Sequence, residues 1–194
     1  MALPALVLAS ASRYRREQLA RIGIAVECVA ADVDETREAG ELPAAMAQRL
    51  ARAKAASVAL RRKHAIIIGA DQVAELDGEV LGKPGNAAAQ QRQLASSSGR
   101  ALRFHTALAV VDTTTNAWAE HIDLTVCHMR ALGDAEIARY VAAEPAHDCA
   151  GGFKVEGLGI TLFERIDSED PSALVGLPLI ALGRCLRAAG FVLP

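Results

Sequence analysis

The feature that most constrains the fold is the segment 66–72, which reads Ile-Ile-Ile-Gly-Ala-Asp-Gln. Three consecutive β-branched residues are typical of a strand buried on both faces in the middle of a parallel sheet. The glycine that follows predicts that the strand stops, so Asp71 should lie where the strand leaves the sheet. Open α/β sheets bind their ligands at that edge. Asp71 therefore has two interpretations, as the cap of a turn or as part of a binding site.

The length and net charge of the chain indicate its number of domains and the partners to expect. The chain has 194 residues, enough for one well-buried core, and we expect a single domain over 1–194. A formal net charge of -2 gives no electrostatic bias toward nucleic acid or an anionic membrane, so neither is expected as a partner. The short apolar start lacks a basic region, and no apolar run approaches the length of a membrane span. We expect a cytoplasmic protein.

The spacing of the cysteines and the absence of several common motifs argue against several kinds of site. The four cysteines, Cys28, Cys127, Cys149 and Cys185, form no C-x-x-C pair and match neither zinc spacing nor a disulfide framework. Reduced thiols in a cytosol are the simplest account. The sequence contains no Walker loop, no G-x-S-x-G, no H-E-x-x-H and no G-x-G-x-x-G after a strand, and its five histidines are scattered.

The order of elements predicts a mixed α/β fold, with a twisted sheet flanked by helices. Apolar periodicity, caps and turn residues predict these boundaries. Strands are expected at 5–9, 24–33, from 66, 103–111 and 117–130, with a hairpin turn at 75–79 and a glycine-punctuated β-rich segment at 153–166. Helices are expected at 15–22, 43–60, 86–95, 134–144 and 178–189.

Cations and carboxylates in predicted loops and helix starts are the candidates for chemistry. They are Arg15, Arg16, Lys54, Lys83 and Lys154 against Glu35 and Asp71. Such a set suits a polyphosphate held with a divalent metal, because cations neutralise phosphoryl oxygens while carboxylates hold a hard cation. Unrelated solvated charges would explain the same set. Lys54 lies on the apolar stripe of its helix and either snorkels from the edge of that stripe or is directed into a cleft beside the sheet.

Seven sequence blocks resemble those of the Maf nucleoside triphosphate pyrophosphatases, in order and at suitable spacings. The resemblance spans nearly the whole chain. The first block, 10–16, reads Ser-Ala-Ser-Arg-Tyr-Arg-Arg and resembles the family's S-x-S-P-x-R-R opening. The others are 33–35, 54–55, 69–73, 82–84, 152–157 and 175–178. Two departures are Arg13, where the family usually has proline, and Ala70, where serine is common.

The resemblance implies a two-lobed fold with a central cleft and hydrolysis of a nucleoside triphosphate between its α and β phosphates. The family's proton acceptor falls on Asp71, and Arg15, Arg16, Lys54 and Lys83 would stabilise charge on the phosphates. Ser10, Ser12 and Lys154 would bind substrate. Glu35 and Asp71 would hold a divalent cation, Mg²⁺, Mn²⁺ or Co²⁺, so base and metal-ligand roles compete for Asp71. The family also suggests a homodimer.

Three positions that sort substrates within the family hold Tyr14, Gln72 and Glu156 here. This combination resembles the branch that acts on 7-methyl-GTP, whereas the branch acting on dTTP and UTP usually has arginine at the first position and lysine at the second. Methylation at N7 makes guanine positive, so a stacking tyrosine and a carboxylate would favour it. Alternatively, Tyr14 only packs on its helix and Glu156 is solvated.

The expected function is therefore removal of a modified nucleotide before it accumulates or is incorporated. Two alternatives stay open. One is a pyrophosphatase for unmodified UTP, CTP or dTTP. The other is a nucleotide-binding regulator of cell division whose hydrolysis is incidental.

Overall fold

A computed structural model describes residues 4–193 and has the expected mixed α/β fold, with a seven-stranded, twisted open sheet and five α-helices in that part of the chain. The strands are β1 (Ala5–Leu8), β2 (Glu27–Cys28), β3 (Ala65–Leu76), β4 (Glu79–Leu81), β5 (Ala101–Asp112), β6 (Ala117–Met129) and β7 (Phe163–Asp167). The helices are α1 (Arg13–Arg21), α2 (Pro43–Ala59), α3 (Ala87–Ser97), α4 (Asp134–Ala143) and α5 (Leu179–Ala188).

The topology leaves a gap along one edge of β3. The strand order is β2-β1-β3-β5-β6-β7, and β4 also pairs with β3. β1 runs parallel to β3 and ends where Leu8 lies opposite Ile68, while β4 is antiparallel and begins its pairing where Leu81 lies opposite Ala74. Between these two points, residues 69–73 have no paired strand on that side in the described part of the chain. A cleft opens there because both neighbouring segments turn away from β3.

The prediction that the strand stops at Gly69 was wrong. β3 continues through Asp71, which pairs with Ala107 of β5, and ends only at Leu76. The three isoleucines lie between one parallel strand, β1, and one antiparallel strand, β5, rather than between two parallel strands. Asp71 therefore does not lie at the end of its own strand. It lies beside the end of the neighbouring strand β1, whose pairing with β3 stops at Ile68. It caps no turn.

Two other predicted β segments are shorter in the structure. The strand expected at 24–33 is reduced to Glu27–Cys28, and the following residues leave the sheet toward the cleft. The segment 153–166 contains a 3₁₀ turn, and its strand begins only at Phe163. The Glu144 carboxylate accepts hydrogen bonds from the N–H groups of Leu158 and Gly159, both at 3.0 Å. These bonds satisfy the backbone without a partner strand.

Helix α2 packs unusually close to β3, and small side chains allow it. Gly69 faces Ala51 and Ala55 of α2, and an added Cβ would lie 2.7 Å from the Ala55 nitrogen and closer still to the Ala51 carbonyl oxygen. Glycine is required here for approach, not for an unusual φ angle. Asp71 lies two residues further along the same face of the strand. The close approach therefore brings Lys54 of α2 to Asp71.

Candidate active site

A cleft of about 760 Å³ opens at the gap between β1 and β4. Of the predicted site residues, the following line it: Ser10, Ser12, Tyr14, Arg15, Glu35, Lys54, Asp71, Gln72, Lys83 and Glu156. Each comes from a segment that enters or leaves this gap. The fold thus brings together most of the residues that the sequence singled out, although they are up to 146 positions apart between Ser10 and Glu156.

The centre of the cleft is a lysine between two carboxylates. The Lys54 ammonium lies 2.6 Å from Asp71 Oδ1 and 2.6 Å from Glu35 Oε1. Lys54 is only 8% exposed and Asp71 only 7% exposed, whereas the Glu35 side chain is 61% exposed. Lys54 therefore does not snorkel to solvent. Its ammonium ends inside the cleft.

The charges of this centre act on each other. Burial raises the pKa of Asp71 above its ordinary value, although the neighbouring cations Lys54 and Arg15 oppose that shift. Burial also raises the pKa of Glu35, but Lys54, Lys83 and Arg15 outweigh it, so the pKa of Glu35 is lowered overall. One carboxylate is thus easier to protonate than usual and the other is held ionised.

Arg15 is fixed by the start of α1 and by a loop. Its Nε donates to the carbonyl oxygen of Gly176 at 2.8 Å, and its Nη1 donates to Ser10 Oγ at 3.2 Å. Ser12 is the N-cap of α1 and accepts a hydrogen bond from the Arg15 N–H at 3.4 Å. Both serines therefore position the arginine, which leaves Nη2 without a hydrogen bond among residues 4–193 and available to a phosphate.

Two predicted site residues do not line the cleft. Arg16 is exposed on α1, since successive helical residues point about 100° apart and Arg15 takes the inner position. Lys154 is partly buried, and its ammonium donates to the Pro145 carbonyl oxygen at 2.6 Å. Lys83, by contrast, is exposed at the cleft wall just after β4.

Gln72 points to the opposite face of β3 from Asp71 and is held by the protein. Its Nε2 donates to Thr106 Oγ1 at 3.0 Å and to the carbonyl oxygens of Ala173 and Leu174 at 2.9 and 3.1 Å. Carbonyl oxygens can only accept, so they fix which end of the amide is nitrogen. Only Oε1 remains for a ligand, so Gln72 can offer a ligand an acceptor but no donor.

Tyr14 belongs to a second polar group at the cleft wall, which the sequence did not indicate. Its hydroxyl donates to the Asp148 carboxylate at 3.1 Å, and the Arg13 guanidinium lies 4.8 Å from the centre of its ring. Arg13 thus has a contact that proline could not make. Asp148 lines the cleft, but nothing in the sequence relates it to a residue 134 positions away.

The carboxylates fit a divalent cation that arrives with substrate. Among residues 4–193, no group of three or more His, Cys, Asp or Glu side chains is placed to hold a metal. Mg²⁺ in nucleotide enzymes commonly takes one or two protein carboxylates and completes its shell with phosphate oxygens and water. Glu35 and Asp71 meet that requirement, since both reach one cationic centre at 2.6 Å, the Lys54 ammonium.

The cleft holds a buried carboxylate and its lysine, with an arginine and a second lysine on the same cleft. In a mixed α/β fold, these are the groups expected of an enzyme that acts on phosphate compounds. No helix in the part of the chain that the structure describes is long and apolar enough to cross a membrane. Residues 5–189 match the family model described as Maf-like protein. The chain belongs to the Maf family.

Curated relatives cover nearly the whole chain. A protein of Xanthomonas oryzae pv. oryzae (strain MAFF 311018) is 55% identical over 192 residues, 99% of this chain and 100% of the relative. One of Bordetella avium (strain 197N) is 51% identical, over 96% of this chain and 94% of its own length. One of Cupriavidus metallidurans is 50% identical, over 97% and 94%. All three are named 7-methyl-GTP pyrophosphatase.

Proposed function

We propose that this protein hydrolyses the α-β phosphoanhydride of 7-methyl-GTP, giving 7-methyl-GMP and pyrophosphate. The observation that carries the proposal is the contact of Asp71 with Lys54 and of Lys54 with Glu35 at the centre of the cleft, each at 2.6 Å. The names of the relatives support the same reaction. Removing the modified nucleotide prevents its accumulation or incorporation.

The reaction needs a base for water and positive charge for the phosphates. Asp71 accepts the proton of the attacking water, and its raised pKa brings it nearer to the working pH of a general base. Lys54, with Arg15 and Lys83, stabilises negative charge on the phosphates as pyrophosphate leaves. A bound divalent cation, Mg²⁺, Mn²⁺ or Co²⁺, neutralises phosphate oxygens and makes water easier to deprotonate. Glu35 and Asp71 would hold it.

The other wall of the cleft recognises the nucleobase. The Tyr14 ring can stack on a methylated, positively charged guanine, and the exposed Glu156 carboxylate can accept its Watson–Crick donors. Gln72 Oε1 is the free end of an amide whose nitrogen is engaged by the protein. It adds an acceptor, which suits the N–H donors of guanine.

A nucleotide panel tests the proposal. Pyrophosphate release would be measured with 7-methyl-GTP, GTP, UTP, CTP and dTTP, each with Mg²⁺, Mn²⁺ or Co²⁺. The proposal predicts the highest kcat/KM with 7-methyl-GTP and no activity without a divalent cation. Comparable rates with UTP would contradict the specificity and favour the branch that acts on unmodified pyrimidine nucleotides. Release of phosphate instead of pyrophosphate would contradict the proposed cleavage between the α and β phosphates.

We also propose that the chain acts as one domain in the cytoplasm and forms a homodimer. The unpaired state of all four cysteines supports a reducing compartment. Sedimentation of the purified protein at several concentrations tests the dimer, and a monomer throughout would contradict it.

A further inference from the structure

The charged groups of the cleft fall into two sets. In the first, the Lys54 ammonium lies 2.6 Å from both the Asp71 and the Glu35 carboxylates. Burial raises the pKa of both carboxylates, while Lys54 and Arg15 oppose that rise in each and Lys83 also opposes it in Glu35. This set contains the cations that suit phosphates.

The second set lies around Tyr14. The Tyr14 hydroxyl donates to the Asp148 carboxylate at 3.1 Å, and the Arg13 guanidinium donates to the Tyr14 hydroxyl oxygen at 3.1 Å. Lys54 contacts Asp71 and Glu35 within the first set, and Tyr14 contacts Asp148 within the second, so the cleft has a phosphate end and a separate end at Tyr14.

Asp148 is an ionised carboxylate at the second end. Burial raises its pKa, but hydrogen bonds from Tyr14 and other donors outweigh burial, so the pKa is lowered overall. Burial also raises the pKa of Tyr14, which keeps its hydroxyl protonated as the donor in the 3.1 Å bond to Asp148. The residue that would stack on the base is thus tied to a carboxylate. That carboxylate is exposed on the cleft wall and open to a ligand.

We infer that Asp148 is a further specificity-determining residue, whose carboxylate selects a purine base that carries a positive charge. The inference rests on the proposed function, because it explains how the protein distinguishes 7-methyl-GTP from GTP. The difference between the two nucleotides at this end is one methyl group and one positive charge. A stacking ring attracts that charge, and a carboxylate held beside the ring attracts it further. Arg13, over the same ring, would otherwise repel it.

The test compares 7-methyl-GTP with GTP in Asp148→Asn, which keeps the shape of the side chain and removes its charge. The ratio of kcat/KM for the two nucleotides should fall about five- to tenfold, mostly through a higher KM for 7-methyl-GTP, as expected for one partly screened charge pair. Asp148→Glu should restore most of the ratio. Glu164→Gln makes the same charge change at an exposed position of β7 outside the cleft and should leave the ratio unchanged.

Salt provides a readout that a structural role would not move. Raising NaCl from about 0.05 M to about 0.5 M should lower the ratio in the wild type and change it much less in Asp148→Asn, because salt screens exposed charges. An unchanged ratio in Asp148→Asn, in a wild type that prefers 7-methyl-GTP, would overturn this inference and leave the proposed function standing. A wild type without that preference would overturn the proposed function and the inference with it.

Discussion

Gly69 carries no functional group, yet the geometry of the cleft depends on it. Replacing it with alanine places a Cβ 2.7 Å from the Ala55 nitrogen and 2.8 Å from the Ala55 Cβ, and closer to the Ala51 carbonyl oxygen, whereas ordinary contact begins near 3.4 Å. These are mostly backbone atoms of α2, which cannot rotate away. The helix must therefore move off β3 by about 1 Å. Lys54 moves with it, away from Asp71.

The size of the effect follows from that displacement. Overpacking of this kind costs about 2 kcal/mol of unfolding free energy, or about 6 °C in Tm for a chain of this length. A shift of about 1 Å in a catalytic contact costs on the order of 100-fold in rate. Gly69→Ala should therefore lose far more activity than stability, since at about 2 kcal/mol most molecules remain folded.

Thermal denaturation and pyrophosphate release would be measured on the same preparation, well below the Tm of the variant. Gly133→Ala is the matched control, because Gly133 has φ -86 and nothing lies within 4 Å of an added Cβ. It should cost less than about 1 kcal/mol and leave the rate unchanged. Wild-type activity and Tm in Gly69→Ala would refute the claim that the approach of α2 sets the Lys54–Asp71 contact.

Three other changes test separate contacts. Lys54→Met removes the cation that favours ionised Asp71 while burial persists, so the pKa of Asp71 should rise further; carboxyl NMR titration of metal-free protein checks this, and a fall would contradict it. Gln72→Glu turns a donor into an acceptor facing two carbonyl oxygens and should cost about 1–3 kcal/mol in urea unfolding, with no loss arguing against the amide orientation. Lys83→Ala should lower kcat/KM about tenfold, whereas Lys154→Ala should lower it much less, because Lys83 lines the cleft and the Lys154 ammonium is bound to the Pro145 carbonyl oxygen. Equal losses in the two variants would indicate that Lys154 also binds substrate.

Local patterns predicted much of this fold. The isoleucines at 66–68 indicated a buried strand, because an uninterrupted β-branched run suits a strand covered on both faces. The apolar stripe of α2 placed Lys54 on its inner side, because the helical period is fixed. The resemblance to the Maf family supplied the candidate site residues, most of which line one cleft. Without the family resemblance, the sequence did not decide whether Asp71 caps a turn or belongs to a binding site.

Pairing between distant segments was beyond the sequence patterns. The gap between β1 and β4 depends on where two other strands end, so β3 seemed to stop at Gly69. The engaged nitrogen of Gln72 depends on carbonyl oxygens about a hundred positions away. Asp148 meets Tyr14 across 134 positions, and no local spacing signals that contact.

In the proposed reaction, Asp71 is the general base of a phosphoanhydride hydrolysis in this cleft. The most direct measurement compares the wild type with Asp71→Asn for both 7-methyl-GTP binding and single-turnover pyrophosphate release. An amide cannot accept the proton, so pyrophosphate release should be slowed about 1,000-fold while nucleotide binding is retained. Normal release by Asp71→Asn would show that Asp71 is not the base, and a wild type that binds 7-methyl-GTP without releasing pyrophosphate would favour a nucleotide-binding regulator.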